Sequence, residues 1–110
     1  MEKETNYPLV TVAVITYNSS RFILETLESI KNQSYKNIEL IIADDYSKDN
    51  TVMICEEWIA TNKSRFYDVK LVTTENNTGT AGNCNRALRA STGEWFKIIA
   101  GDDVLCNDAI

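Results

Sequence analysis

Two pairs of adjacent aspartates, Asp44-Asp45 and Asp102-Asp103, carry the most chemical potential in this chain. Each pair closes an apolar run, the first directly after Ile38 to Ala43 and the second one glycine after Trp95 to Ala100. Aspartate is common in turns and at helix caps, and that reading suits Asp49 and Asn50. Two aspartate pairs at the ends of buried strands ask for more. Unit charges ~5 Å apart repel by about 1 kcal/mol in water and by about 3 at an effective dielectric near 20. A divalent cation is the natural compensation. The chain has no histidine, so ligation by oxygen alone favours Mg²⁺ or Mn²⁺ over zinc. Such an ion keeps waters and is completed by substrate phosphates. The expectation is an acidic cleft that takes a hard cation and a phosphorylated ligand.

Other residues fall at the same kind of place. Thr16, Tyr17 and Asn18 follow the first apolar run. Tyr17 offers either an aromatic face to a base or a partly buried packing surface. Asn77-Thr78-Gly79 precedes a helical segment whose first N–H groups could face phosphate; a plain glycine turn is the other reading. The segment has neither the glycines nor the lysine of a P-loop, and no G-x-G-x-x-G occurs in the chain.

Alternating elements must position these residues. Leu9 to Thr16 is a β-branched apolar run of the kind found in strands buried on both faces. Arg21 to Asn32 reads as a helix, with Ile23, Leu27 and Ile30 on one stripe and Ser19 or Ser20 as cap. Ile38 to Ala43 is a second buried strand. Asp49-Asn50 caps a second helix with Val52, Cys55 and Ile59 on its stripe. Val69 to Thr73 is a short third strand. Ala81, Cys84 and Leu88 mark the apolar face of a third helix that Gly93 ends as a C′ residue. Trp95 to Ala100 is the fourth strand. The order βαβαβαβ implies an α/β fold, a parallel sheet with helices on both faces. Ligands of such sheets bind outside the carboxyl ends of the strands, where strand order reverses.

The 110 residues suit one domain, and 44% hydrophobic with 25% charged residues is ordinary for a globular protein. A net charge of -5 argues against nucleic acid as partner. The absence of histidine excludes a histidine triad, zinc site or general base within these residues. Cys55, Cys84 and Cys106 read as small core or half-buried thiols, which points to a reducing, cytoplasmic setting. No run approaches the roughly 18 apolar residues of a membrane span, and Met1 to Tyr7 is too polar for a signal peptide.

The chain resembles the family-2 glycosyltransferases along nearly its whole length. Val12-Ala13-Val14-Ile15-Thr16-Tyr17-Asn18 is similar to that family's first strand and its "TYN" ending. Ser29-Ile30-Lys31-Asn32-Gln33-Ser34-Tyr35 matches its "S-I-x-x-Q-(S/T)-(Y/F/L)". Glu39 to Thr51 looks like the "E-(I/L)-I-(V/I)-V-D-D-x-S-x-D-x-T" block. Asn77-Thr78-Gly79 and Asn85-Arg86-Ala87-Leu88 resemble "N-x-G…N-x-(A/G)-L", and Thr92-Gly93-Glu94 leads into the fourth strand and its acidic motif.

The resemblance implies a GT-A (Rossmann-like) fold truncated after the fourth strand. Residues 1–110 would form the nucleotide-sugar-binding half, without the acceptor half. It implies inverting transfer of a sugar from a nucleotide-diphosphate donor, a UDP-sugar first among candidates, to a saccharide or glycolipid acceptor. The setting would be cytoplasmic, at the inner face of the membrane. Thr16, Tyr17, Asn18, Asp44, Asp45, Asn77, Gly79, Asn85 and Asp102 would contact the nucleotide. Tyr17 would stack on the base and Asp45 would accept a hydrogen bond from it. Asp102 and Asp103 would hold the cation. The general base that deprotonates the acceptor is expected beyond residue 110.

Two positions depart from the family pattern. Ala100 stands where many members begin an Asp-x-Asp-Asp motif. Cys84 stands where many carry arginine near the phosphates, leaving metal, backbone or Arg86 to meet the phosphate charge. These departures keep a non-catalytic nucleotide-binding or interaction module in view. A phospho-receiver domain fits less well, because its acidic pair follows strand one and its phosphorylated aspartate follows strand three. Here those strands end in Thr16-Tyr17-Asn18 and Thr73-Thr74.

Overall fold

Four apolar runs pair side by side, all parallel, in the order β3-β2-β1-β4. They are β1 (Val10–Thr16), β2 (Ile38–Asp44), β3 (Asp68–Val72) and β4 (Trp95–Ala100). The structure, a computed structural model, describes residues 7–101. β1 runs in register with β2 from Val10↔Ile38 to Thr16↔Asp44, and with β4 from Val10↔Trp95 to Ile15↔Ala100. The chain winds outward from β1 through β2 to β3, then crosses to the other side of β1. This order matches the first four strands of the doubly wound dinucleotide-binding sheet and not the 2-1-3 start of receiver domains.

The helices α1 (Ile23–Lys31), α2 (Thr51–Asn62) and α3 (Gly79–Ala90) cover both faces. Alternate strand residues point to opposite faces. Val10, Val12, Val14, Ile38, Leu40, Ile42 and Ile99 therefore pack with Ile23, Leu27 and Ile30 of α1 and with Cys55 and Trp58 of α2. Ala13, Ile41 and Ala43 face the other way, onto Ala87 of α3. Alanines on both sides of that contact let α3 lie close to the sheet.

Several local expectations are corrected. Ser19 holds the start of α1 through its carbonyl, which accepts from Phe22 N and Ile23 N at 2.9 Å each, and not through its hydroxyl. On α2 the buried positions are Thr51, Cys55, Trp58 and Asn62, while Val52 and Ile59 are only partly covered. Trp58 wins that face because its ring packs against Phe66 at 5.9 Å and its indole N–H finds Glu28 Oε2 at 2.7 Å. On α3 the buried positions are Asn83 and Ala87, and Leu88 is exposed. The buried amide explains this rotation, since Asn83 Nδ2 donates to Ala43 O at 2.8 Å. Gly93 does not end α3. Ser91 does, in extended conformation, and Gly93 instead approaches β1. A Cβ there would sit 2.5 Å from Thr11 Oγ1 and 2.8 Å from Thr11 N.

Candidate functional site

Strand order reverses at β1, and a cleft of about 630 Å³ opens there, outside the carboxyl ends of β1 and β4. One wall is Thr16, Tyr17 and Ser19 after β1; the opposite wall is Asn77, Gly79, Thr80, Asn83 and Cys84 of the α3 entry; Ile98 to Gly101 and Asp45 complete it. Among the described residues that line it there is no lysine or arginine.

The loops feeding this edge are locally strained. Asn18 has φ 50° and Tyr46 has φ 67°, both in the left-handed region, and Gly79 has φ 84°. Tyr46 holds its conformation with Lys48 Nζ 4.9 Å from its ring centroid. Gly101, at the end of β4, donates its N–H to Ile15 O at 2.9 Å and accepts from Thr26 Oγ1 at 2.9 Å. A Cβ on Gly101 would lie 2.9 Å from Ser19 Oγ and 3.0 Å from Thr16 Cγ2, so a side chain there would push both of those side chains aside.

The two aspartates of the first pair do different things. Asp44 ends β2 with its side chain buried and does not line the cleft. It accepts from Thr16 Oγ1 at 2.5 Å, Ser47 Oγ at 2.5 Å and Ser47 N at 2.8 Å. It thus ties the end of β1 to the turn after β2. Asn18 reinforces the tie, donating its N–H to Ser47 Oγ and accepting from Lys48 N, both at 2.8 Å. Asn18 also lies off the cleft lining.

Asp45 does line the cleft, and its carboxylate is a hub. Oδ1 accepts from Thr78 N at 2.9 Å, Thr78 Oγ1 at 2.6 Å and Arg86 Nη2 at 3.2 Å. Oδ2 accepts from Gly79 N at 2.9 Å, with Asn77 Nδ2 at 3.4 Å. Burial alone would raise its pKa, but the bonds from Thr78, Gly79 and Asn77 outweigh it and lower the carboxyl from 3.8 to about 2. Asp45 is therefore a fixed negative charge at the N-terminus of α3, where the helix dipole favours it. The N–H groups of Thr78 and Gly79, expected to face phosphate, donate to this carboxylate. Arg86, considered for the phosphate charge, also turns to Asp45 and lies outside the cleft lining.

Of the remaining expected residues, Thr16, Tyr17, Asn77 and Gly79 line the cleft, with Tyr17 about half exposed; Asn85 is on the exposed side of α3, away from it. Asp102 and Asp103 lie outside the described residues. Among the described residues no cluster of three or more histidine, cysteine, aspartate or glutamate side chains could hold a metal ion. No helix among them is long and apolar enough to cross a membrane. The sequence reading missed Ser19, Thr80, Asn83 and the hub role of Thr78. Asn83 was open to discovery, because it lies one helical turn after Gly79 and so on the same face.

Comparison with known proteins agrees with this geometry. The family model for glycosyl transferase family 2 matches residues 11–110. An Escherichia coli UDP-Glc:alpha-D-GlcNAc-diphosphoundecaprenol beta-1,3-glucosyltransferase, WfaP, is 37% identical over 97 residues, covering 86% of this chain and 36% of its own. The mannosyltransferase PcManGT of Pyrobaculum calidifontis, solved with GDP-Man and Mn²⁺, superposes with a TM-score of 0.84 at 34% identity, over 92% of this chain and 29% of that one. Residues 1–349 of S. aureus TarS, solved with UDP, superpose with a TM-score of 0.80 at 30% identity, over 91% and 29%. The chain spans 34%, 33% and 40% of the length of three further curated relatives, all named as glycosyltransferases. By its family model, its relatives and its GT-A sheet, the chain belongs to glycosyl transferase family 2.

Proposed function

We propose that this chain is the donor-binding part of a glycosyltransferase that transfers a sugar from a nucleotide-diphosphate sugar, a UDP-sugar first, to a saccharide or glycolipid acceptor with inversion. The observation that carries this reading is the cleft at the β1/β4 switch point, which combines an exposed aromatic face, Tyr17, with an ionised carboxylate, Asp45. Tyr17 stacks on the base, and Asp45 accepts a hydrogen bond from a base N–H. Thr16, Asn77 and Gly79 shape the walls on either side.

The absence of a lysine or arginine among the described lining residues means that a diphosphate brings its charge to a cleft where they supply no basic side chain and one carboxylate. A divalent cation, Mg²⁺ or Mn²⁺, fits that arrangement. Asp102 and Asp103, which follow the cleft residue Gly101 in sequence, would hold it. When bound, the cation stabilises negative charge on the departing nucleotide. The protein's own part is to orient the base, to exclude water with Ile98, Ile99 and Cys84, and to keep Asp45 ionised. The general base belongs to sequence beyond residue 110. The free thiols of Cys55 and Cys84 accord with a reducing, cytoplasmic setting, and a glycolipid acceptor would place the enzyme at the inner membrane face.

Calorimetric titration with UDP and then GDP, with and without Mn²⁺, tests the reading. Metal-dependent binding that disappears in Asp45→Ala and Asp102→Ala supports it. A folded full-length protein that binds neither nucleotide sinks it. The departures at Ala100 and Cys84 favour one second reading, a nucleotide-binding module without transfer. Release of the nucleoside diphosphate from a UDP-sugar by the full-length protein would exclude that.

A further inference from the structure

Arg86 departs from the rest of the α3 entry because it is mostly covered yet takes no place in the cleft wall. A single nitrogen, Nη2, serves three acceptors: Thr78 Oγ1 at 3.0 Å, Asn83 Oδ1 at 3.1 Å and Asp45 Oδ1 at 3.2 Å. Its Nε is buried with no hydrogen-bond partner among the described residues. A guanidinium has five donors in a rigid fork, and burying one unmatched costs free energy. The side chain accepts that cost in order to reach these three oxygens.

The three acceptors form a directed chain. Arg86 donates to Thr78 Oγ1, so the Thr78 hydroxyl proton points onward to Asp45 Oδ1 at 2.6 Å. Asn83, which accepts from Arg86 on one side, donates to Ala43 O at 2.8 Å on the other. The carboxylate, the loop residue Thr78 and the strand β2 are thereby locked in one arrangement by a side chain that does not itself line the cleft. Without Arg86 the Thr78 hydroxyl loses the donor that backs it, Asn83 Oδ1 loses a donor, and Asp45 keeps neutral donors alone.

We propose that Arg86 is a positioning residue that fixes the Asp45 carboxylate, through Thr78 and Asn83, in the orientation that discriminates a base with a ring N–H from one without. The inference rests on the donor-site reading above and adds a residue that touches neither base nor phosphate. A carboxylate accepts from the ring N–H of uracil or guanine. It is repelled by the bare ring nitrogen at the matching place in cytosine or adenine. How sharply it discriminates depends on how firmly its orientation is held.

The test measures the affinity of the full-length protein for UDP and CDP in Mn²⁺, or for GDP and ADP if guanine is the base taken. The variants are Arg86→Met and Arg86→Lys, and the quantity read is the affinity ratio within the pair. The wild-type ratio should favour the N–H base, and Arg86→Met should reduce that preference roughly tenfold, the scale of one hydrogen bond to a charged group. Arg86→Lys keeps a charge but loses the fork, and should fall between. In an Asp45→Asn background, Arg86→Met should leave the ratio unchanged. If Arg86→Met does not fold, Arg86→Gln carries the test by the same criterion. Equal loss for both members of the pair would mean a merely structural role and overturn the proposal, as would an unchanged ratio. A wild type that binds both members equally would overturn it while leaving nucleotide binding in place. A wild type that binds no nucleotide at all would instead sink the donor-site reading itself.

Discussion

Two buried carboxylates on the same side of β2 brace the two ends of α3, one at each edge of the sheet. Asp45, at the carboxyl edge, receives the first N–H groups of the helix from Thr78 and Gly79. Glu39, at the amino edge, receives Thr92 N at 2.8 Å and Thr92 Oγ1 at 2.9 Å from the turn beyond the helix. Glu39 also accepts from Thr11 Oγ1 at 2.7 Å and pairs with Lys70 at 3.1 Å, and Lys70 in turn donates to the α3 carbonyl of Ala90 at 2.7 Å. Asp45 thus puts negative charge at the N-terminus of α3, and at the other end the Lys70 ammonium, paired with Glu39, meets a terminal carbonyl, as the helix dipole favours. Both acids are nearly inaccessible, and the pKa of each is lowered because hydrogen bonds outweigh the opposing effect of burial. Burial and saturation therefore do not tell a structural acid from a functional one. Placement does: Asp45 borders the cleft at the switch point, and Glu39 does not.

Removing Glu39 should have the largest effect on folding and none on ligand. Glu39→Ala strands Lys70, Thr11 and the Thr92 N–H. We expect a loss of about 2–3 kcal/mol and a melting temperature lower by about 10 °C or more, read by thermal denaturation. Nucleotide affinity of the folded fraction should stay at the wild-type value; a selective loss of affinity would break the contrast between the two edges.

Asp45→Asn should cost both stability and ligand. The amide accepts at one oxygen only and turns its NH2 toward donors that met the carboxylate, so stability should fall by about 2 kcal/mol. UDP affinity should fall tenfold or more, and calorimetry on the wild type and variant reads both. Equal UDP affinity would reduce Asp45 to a second Glu39.

Acid should act on both edges together. Asp45 and Asp49 are lowered from 3.8 to about 2, Asp49 because the bonds from Thr51 and Ser20 outweigh desolvation, and Glu39 is lowered too. A group with a depressed folded pKa stabilises above its unfolded pKa and loses that contribution as pH falls through the folded value. Stability should hold above about pH 5 and drop between about pH 4 and 2. Asp45→Asn should flatten part of that slope in urea midpoints measured across the range. An unchanged slope would show that Asp45 is not depressed.

The smallest effect concerns two thiols. Cys84 lines the cleft half-covered, whereas Cys55 is buried and its thiol is pushed up to about 12, by burial first and then by the charges of Asp44 and Glu56. In a Cys106→Ser background, iodoacetamide should label Cys84 alone in the folded protein, and UDP with Mn²⁺ should slow labelling several-fold. Mass spectrometry reads both. Labelling of Cys84 indifferent to nucleotide would place the ligand elsewhere.

The elements were legible because their cause is local. Leu9 to Thr16 and Ile38 to Ala43 read as doubly buried strands from composition alone, and each observed strand starts or ends within one residue of the expected place. The helix faces were less legible. The α3 stripe was read from Ala81, Cys84 and Leu88, yet the helix turns on Asn83, a polar residue that hydropathy patterning assigns to solvent. Trp58 was similarly passed over on α2, where its indole needed Glu28 of another helix to be satisfied.

The sequence by itself determined the α/β alternation, the parallel sheet, and the crowding of Thr16, Tyr17, Asp45, Asn77 and Gly79 at one edge. Hydrophobic period, turn chemistry and the alternation of strands with helices are written in neighbouring residues. Only the tertiary structure decided that Asp44 turns inward to Thr16 and Ser47 while Asp45 faces the cleft. Only it decided that the α3 N–H groups and Arg86 belong to Asp45 and not to phosphate. Adjacent residues leaving a strand point to opposite faces. Which face holds a partner depends on side chains as far as 28 positions away for Asp44 and 41 for Asp45, and no local pattern records those.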